Sequence, residues 1–307
     1  MRYFKFFINW LFNITNSNSN EDLSDNRIDV FRLIIFIFFH VSCISILWVG
    51  FSWFALFFAI ALYFIRMFFI TAFYHRYFSH RSYKTSRVIQ FLMAILGCTA
   101  GQRGPIWWSS HHREHHITSD TIHDPHSPRF GFLNSHILWF LKTKNFKTLN
   151  YRVKDWLRYP ELVILEYIDW LPFISFGLLC YLFGELTLLS NLGIQTSGEQ
   201  LFVWGFLIST VMLYHGTYTI NSLAHRYGKR RYETNDDSKN NFILALLTLG
   251  EGWHNNHHRY PSSSKQGFFW WEVDFTYLFL KFMKFIFLIR DLKQVPPKLL
   301  LKRESKY

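Results

Sequence analysis

The chain has 307 residues; half are hydrophobic, including 35 Phe, 16 Tyr and 12 Trp, and only 18% are charged. The net charge of +12 sits in clusters between long apolar runs. This excludes an ordinary soluble domain, and the aromatic excess suits a membrane–water boundary, where one end of a ring is dry and the other wet.

The opening M-R-Y-F-K-F-F-I-N-W-L-F is apolar but short and lacks a small-residue cleavage site, so it reads as an interfacial segment and not as a signal peptide. Residues 13–26, rich in Asn, Ser and Asp, read as a flexible lead-in. The chain therefore divides into an N-terminal segment (1–29), a membrane domain (30–290) and a basic C-terminal tail (291–307).

A membrane helix needs about 20 mostly apolar residues. Four stretches qualify: Leu33–Val49, Phe51–Ile70, Trp170–Ser190 and Leu201–Ile220. They pair into two hairpins. No Lys or Arg lies between Arg32 and Arg66, or between Arg158 and Arg226. Positive charge stays on the cytosolic side of a bilayer. The hairpin tips are thus expected outside, and both termini and the middle segment in the cytosol. Arg66 is expected at the inner interface, with its stem along lipid and its head in water.

Val88–Thr99 and Phe242–Leu249 are too short to span and read as re-entrant or interfacial helices. Phe268–Ile289 is interrupted by Glu272, Asp274, Lys281 and Lys284, which predicts an amphipathic helix along the membrane surface. Cys43, Cys98 and Cys180 lie in apolar runs without metal or redox spacing, and read as small buried side chains.

Nine of the 15 histidines form a pattern. His75 and His80 bracket H-R-Y-F-S-H after the second span. His112, His115 and His116 form H-R-E-H-H; His254, His257 and His258 form H-N-N-H-H. His225 ends N-S-L-A-H after the fourth span. In a helix, residues three and four apart share a face, so each H-x-x-H-H presents three imidazoles together. His75 and His80, five apart, share no α-helical face and are expected to straddle the end of the second helix.

One zinc site uses three or four ligands. Nine histidines suit two ions with four or five nitrogens each, and zinc is redox-inert, so the pattern points to iron and dioxygen chemistry. Glu114, Asp120, Asp124 and Glu251 are candidates to hold the second ring nitrogens. His40, His123, His126, His136 and His215 read as packing or hydrogen-bonding residues, and His111 is left out of the ligand set. A metal transporter is disfavoured, because transporters place ligands near the bilayer midplane.

At these residues the chain resembles the membrane fatty acyl desaturases, specifically the stearoyl-CoA (Δ9) desaturase family. The matching stretches are Y-H-R-Y-F-S-H-R-S-Y-K (74–84), H-H-R-E-H-H (111–116), S-D-T-I-H-D-P-H-S-P (119–128), N-S-L-A-H-R-Y-G (221–228) and G-E-G-W-H-N-N-H-H-R-Y-P (250–261). The resemblance implies an all-α integral membrane fold: four transmembrane helices under a cytosolic helical cap that holds a dinuclear metal site. It implies that the nine histidines bind two Fe2+ ions, that Asn221 reaches one iron through water, and that dioxygen is the co-substrate.

The implied reaction is insertion of a cis double bond, at Δ9, into a saturated fatty acyl chain carried as acyl-CoA. Carrier-protein and lipid-linked chains stay open, and a di-iron fatty acid or alkane hydroxylase is the alternative. The resemblance also implies a kinked tunnel lined by Gln102 and Trp108, ended by Ala59 and Tyr63, with Lys142 and Lys144 at the CoA phosphates. Arg103 and His111 depart from the animal pattern, which has Asn and Asp there. Nothing after Pro261 is long enough for a fused haem domain. Electrons are therefore expected from a separate donor, a ferredoxin or a b-type cytochrome with its reductase. The basic 142–158 segment suits anionic lipid, carrier phosphates or that donor; no nucleic acid is expected.

Overall fold

The computed structural model describes residues 26–301; the reading of residues 1–25 as interfacial and flexible lies outside them. Helix α1 (Val30–Val49) starts where Asp29 Oδ1 accepts from the N–H groups of Phe31 and Arg32 at 3.0 and 3.1 Å, satisfying donors that the first turn leaves unpaired. It stops at Gly50, whose φ of 72° side chains rarely tolerate. Ser52 then caps α2 (Trp53–Ser79) through Ala55 N–H. Next come α3 (Arg87–Cys98), α4 (Pro105–Thr118), α5 (Pro160–Tyr167) and α6 (Trp170–Gly184). The chain continues through α7 (Gly198–Ser222), α8 (Phe242–Leu247), α9 (His254–Arg259) and α10 (Phe275–Phe285).

By length and apolarity, α1, α2 and α7 are each able to cross a membrane. The expected third span, Trp170–Ser190, ends early: α6 stops at Gly184, with a short separate helix at Thr187–Asn191. Counted with α5, from which it bends by 67°, α6 makes a fourth span. The two hairpin tips meet. Gln200 Nε2 donates to Val49 O at 3.1 Å, Ser52 donates to Gln200 Oε1 at 3.0 Å, and Trp204 Nε1 donates to Gly50 O at 3.0 Å. Both tips therefore lie at one end of the helical stack.

Arg66 corrects the expectation of a head in water. It is 1% exposed, and donates to Thr210 Oγ1 and Ser209 Oγ at 2.7 and 2.6 Å while lying over Phe176. Buried between spans, a guanidinium needs such acceptors, and the small hydroxyls of α7 supply them.

The remaining expectations divide. Val88–Thr99 and Phe242–Leu249 are helical as the short elements α3 and α8. The surface helix is shorter than 268–289, because Asp274 caps α10 through Tyr277 N–H at 2.9 Å. Leu278, Phe279, Phe282 and Phe285 on α10 are exposed. The fold is not purely helical: Lys84–Thr85 pairs antiparallel with Ile289–Arg290. Beyond residue 290 the chain stays attached, through Ser264 N–H to Lys293 O (2.9 Å), Lys293 N–H to Ser82 O (2.8 Å) and Tyr232 Oη to Leu299 O (2.7 Å).

The main core lies where α2, α3 and α4 meet. Tyr74 is fully buried there; its hydroxyl donates to Arg103 O at 3.0 Å, and its ring occupies the space a Cβ on Gly97 would take. That contact holds the end of α2 against α3.

Candidate metal centre

The last turns of α2, Phe69–Ser79, are wound as a π-helix, and the widened turn continues to His80 N–H, which donates to His75 O at 3.2 Å. In this winding residues five apart stack, where in an α-helix they diverge. His75 and His80 therefore come together, with ring centroids 4.9 Å apart, instead of straddling a helix end.

The nine histidines form two adjoining groups, each with its ligand nitrogens within 4.8 Å of one another: His75, His80, His112, His116 and His257 in one, and His115, His225, His254 and His258 in the other. Nε2 atoms face each other at 3.0 Å for His75–His257, 2.8 Å for His80–His112 and 3.0 Å for His225–His254. Each helical box serves both groups. From α4, His112 and His116 enter the first group and His115 the second; from α9, His257 enters the first and His254 and His258 the second.

Four of the outward nitrogens are anchored on carboxylates. His115 Nδ1 meets Asp124 at 3.0 Å, His225 Nδ1 meets Asp120 at 2.9 Å, His258 Nδ1 meets Asp236 at 2.6 Å, and His75 Nδ1 meets Glu251. Such contacts fix ring orientation and aim the other nitrogen inward; His258 Nε2 is buried with no hydrogen-bond partner. Glu114 does not join them, because Tyr151 and Arg152 occupy its carboxylate.

Burial first, and then the neighbouring rings, hold His80, His112, His116, His254 and His257 well below the usual imidazole range. His258 falls to about 4, chiefly through burial. Burial acts to raise Asp124 and Asp236, but the histidines beside them and local hydrogen bonds keep both carboxyls below their normal range. These six imidazoles are held neutral; burial acts to lower His115 too, but Asp124 beside it outweighs that and shifts it upward. Carboxylates back the set. That donor set suits divalent first-row metals such as iron, and each group could hold an ion.

An apolar cavity of about 260 Å3 opens onto the first group, and a smaller one of about 50 Å3 lies beyond it; Trp108, His112, Thr217 and Asn221 line both. Gln102 lines the larger, its Nε2 donating to Thr217 Oγ1 at 3.0 Å and its Oε1 accepting from Trp108 Nε1 at 3.4 Å. Ala59 and Tyr63 line neither. Ala59 packs among Leu189, Leu201 and Trp204, while Tyr63 donates to Leu247 O at 2.8 Å. The smaller cavity is bounded instead by Met67 and Ile70, farther along α2. Lys142 and Lys144 are also outside both linings, and Lys142 Nζ donates to Asn134 Oδ1 at 2.6 Å.

Several participants were not legible as such. Asp236 lies in a polar loop without a motif. Gln266 Nε2 donates to Glu251 at 2.9 Å, and Arg76 joins Glu251 to Asp274 at 3.0 Å each. His126, read as a packing residue, lines the larger cavity with its ring 4.2 Å from His115. His40, His215 and His136 form a hydrogen-bonded series at 3.0 Å per step, consistent with the hydrogen-bonding role expected of them.

A histidine-rich site facing a narrow apolar cavity among membrane-length helices defines a class of lipid-modifying enzyme. The chain belongs to the fatty acid desaturase family, whose model, described as Fatty acid desaturase, matches residues 51–282. It is similar to "Acyl-CoA 5-desaturase AL21" of Anemone leveillei, with 36% identity over 87% of this chain and 80% of the relative. It is equally similar, at 36% over 87% and 84%, to "Delta-9 acyl-lipid desaturase 1" of Arabidopsis thaliana. The "sn-2 palmitoyl-lipid 9-desaturase" of Nostoc sp. (strain 36) is 33% identical over 71% of this chain and 73% of that one. The chain is accordingly an enzyme, an oxidoreductase acting on fatty acyl chains.

Proposed function

We propose that this enzyme holds two iron ions in its two histidine groups and uses dioxygen to introduce a cis double bond, at Δ9, into a saturated fatty acyl chain. The reading rests on one observation: two adjoining nests of five and four imidazoles meet paired apolar cavities, His112 and Trp108 lining both and His75, His115 and His254 lining the smaller. Bound iron would supply the one-electron and dioxygen chemistry that unactivated methylenes require.

His75, His80, His112, His116 and His257 would hold one ion, and His115, His225, His254 and His258 the other. Asn221, which lines both cavities, would reach one of them through water. Asp120, Asp124, Asp236 and Glu251 orient the rings. The Gln102–Thr217–Trp108 contacts shape the wall along which the acyl chain lies, and Met67 and Ile70 receive its end. No side chain need move a proton to or from the methylenes; the protein positions the chain and excludes water. The electrons come from a separate ferredoxin or b-type cytochrome. The Lys and Arg distribution supports a multi-pass topology with the site on the cytosolic side.

The test is expression in a host that lacks unsaturated fatty acids, followed by location of double bonds by mass spectrometry. Cis Δ9 products are expected. Hydroxylated chains without a double bond would replace this reading with a hydroxylase.

A further inference from the structure

The larger cavity is lined by two arginines and one carboxylate, Asp169. Arg32, near the start of α1, and Arg103, in the loop before α4, both line it, and both guanidiniums lie over the ring of Phe146, at 3.1 and 4.0 Å. Arg103 is held there at some conformational cost: its φ is 68°, a left-handed conformation uncommon for a residue with a side chain. Its Nε meets Asp169 at 3.2 Å and its Nη1 donates to Phe146 O at 3.1 Å.

Arg32 is different. Asp29 Oδ1 caps α1, and Oδ2 lies 3.3 Å from Arg32 Nε without hydrogen-bond geometry. Arg32 Nε and Nη1 are buried with no hydrogen-bond partner. Buried, unspent donors of a cation are costly unless an acceptor completes them.

We propose that Arg32 and Arg103 form a phosphate site, and that its ligand is the phosphate of a glycerophospholipid whose own acyl chain fills the cavity. This rests on the desaturase reading and names its carrier. The argument is one of reach. In an acyl-CoA the nearest phosphate is a whole pantetheine arm away from the thioester. In a glycerophospholipid it is separated from the acyl ester only by part of the glycerol. The two guanidiniums line the same cavity as Gln102 and Trp108, so a phosphate held by them lies at the wall of the acyl cavity itself, as it would in a glycerophospholipid. Lys142 and Lys144, where a more distant phosphate would be expected, stand outside the cavity. Arg32 also lies two residues into a membrane-length helix, the depth at which leaflet phosphates sit. Guanidinium groups match phosphate through paired N–H donors.

The experiment gives the full-length, metal-loaded enzyme one acyl chain on three carriers: CoA, phosphatidylglycerol in nanodiscs, and uncharged galactosyl diacylglycerol in nanodiscs. A chemical reductant and dioxygen are supplied to each. Phosphatidylglycerol should be turned over with a kcat/KM about tenfold above the galactolipid. Arg32→Gln and Arg103→Asn should erase that preference, mainly through KM. Arg32→Lys should retain part of it, and metal content should not change in any variant. Wild-type turnover confined to acyl-CoA, or variants that depress all three carriers equally, would overturn the phosphate site while leaving the desaturase reading intact. Absence of a double bond on every carrier would overturn both.

Discussion

The positions within each H-x-x-H-H decide which group each ring enters. Successive residues of an α-helix advance by about 100°, so the second and third histidines of a box diverge while the first and third, four residues apart, stay close. Hence His112 and His116 point one way and His115 the other, with His254, His258 and His257 in the same relation. Two such helices facing each other supply three rings to each nest; His75 and His80 complete one and His225 the other. The nine rings were legible because their spacing repeats. Asp120, Asp124 and Glu251 were legible because they lie near the boxes in sequence. Asp236 and Gln266 reach the site only through the tertiary fold, and no local signal marks them. Asp124→Asn and Asp236→Asn should each weaken metal affinity by about 10- to 100-fold, read by chelator competition; unchanged affinity would remove these carboxylates from the ring-orienting role.

At the level of elements, the π-wound end of α2 was the feature sequence spacing misjudged. Five residues is the wrong interval for an α-helix and the right one for a π-turn, and nothing in F-I-T-A-F-Y-H-R-Y-F-S announces the wider winding. The packing that holds it is testable. A Cβ on Gly97 would lie 2.0 Å from Tyr74 Cε1, and Tyr74 is tied to Arg103 O and Cys98 Sγ. Gly97→Ala should cost about 1–3 kcal/mol by overpacking, seen as a lower Tm together with weaker metal retention. A wild-type Tm would mean that α3 shifts freely. The far end of the substrate path is also an element-level question. Ala59 and Tyr63 lie behind the cavity, and Met67 bounds it. Met67→Phe should lower kcat/KM for the longest accepted chain by roughly tenfold or more while sparing shorter ones. A uniform loss across chain lengths would move the stop elsewhere.

Across the whole molecule, the apolar runs made three membrane-length helices readable, and the fourth expected span is present only if α5 and α6 are counted as one bent span. The burial of Arg66 was not readable, because it depends on Ser209 and Thr210 arriving from a helix far away in sequence. Buried neutral histidines also tie stability to pH. Burial leads in lowering His111 and His258 to about 4 and His126 to about 3, from 6.5 when exposed. The folded state then binds fewer protons than the unfolded one, so stability is fully present above about pH 6.5 and declines as pH falls toward 4. The Tm of metal-free protein in detergent should be flat above neutral pH and drop through that window; a Tm that rises on acidification would contradict the burial of these rings. The most direct test of the two-nest centre is metal analysis of the purified chain. About two irons per chain are expected, falling to about one in His225→Asn and in His80→Asn, with activity lost in both; one zinc and no iron would contradict the account.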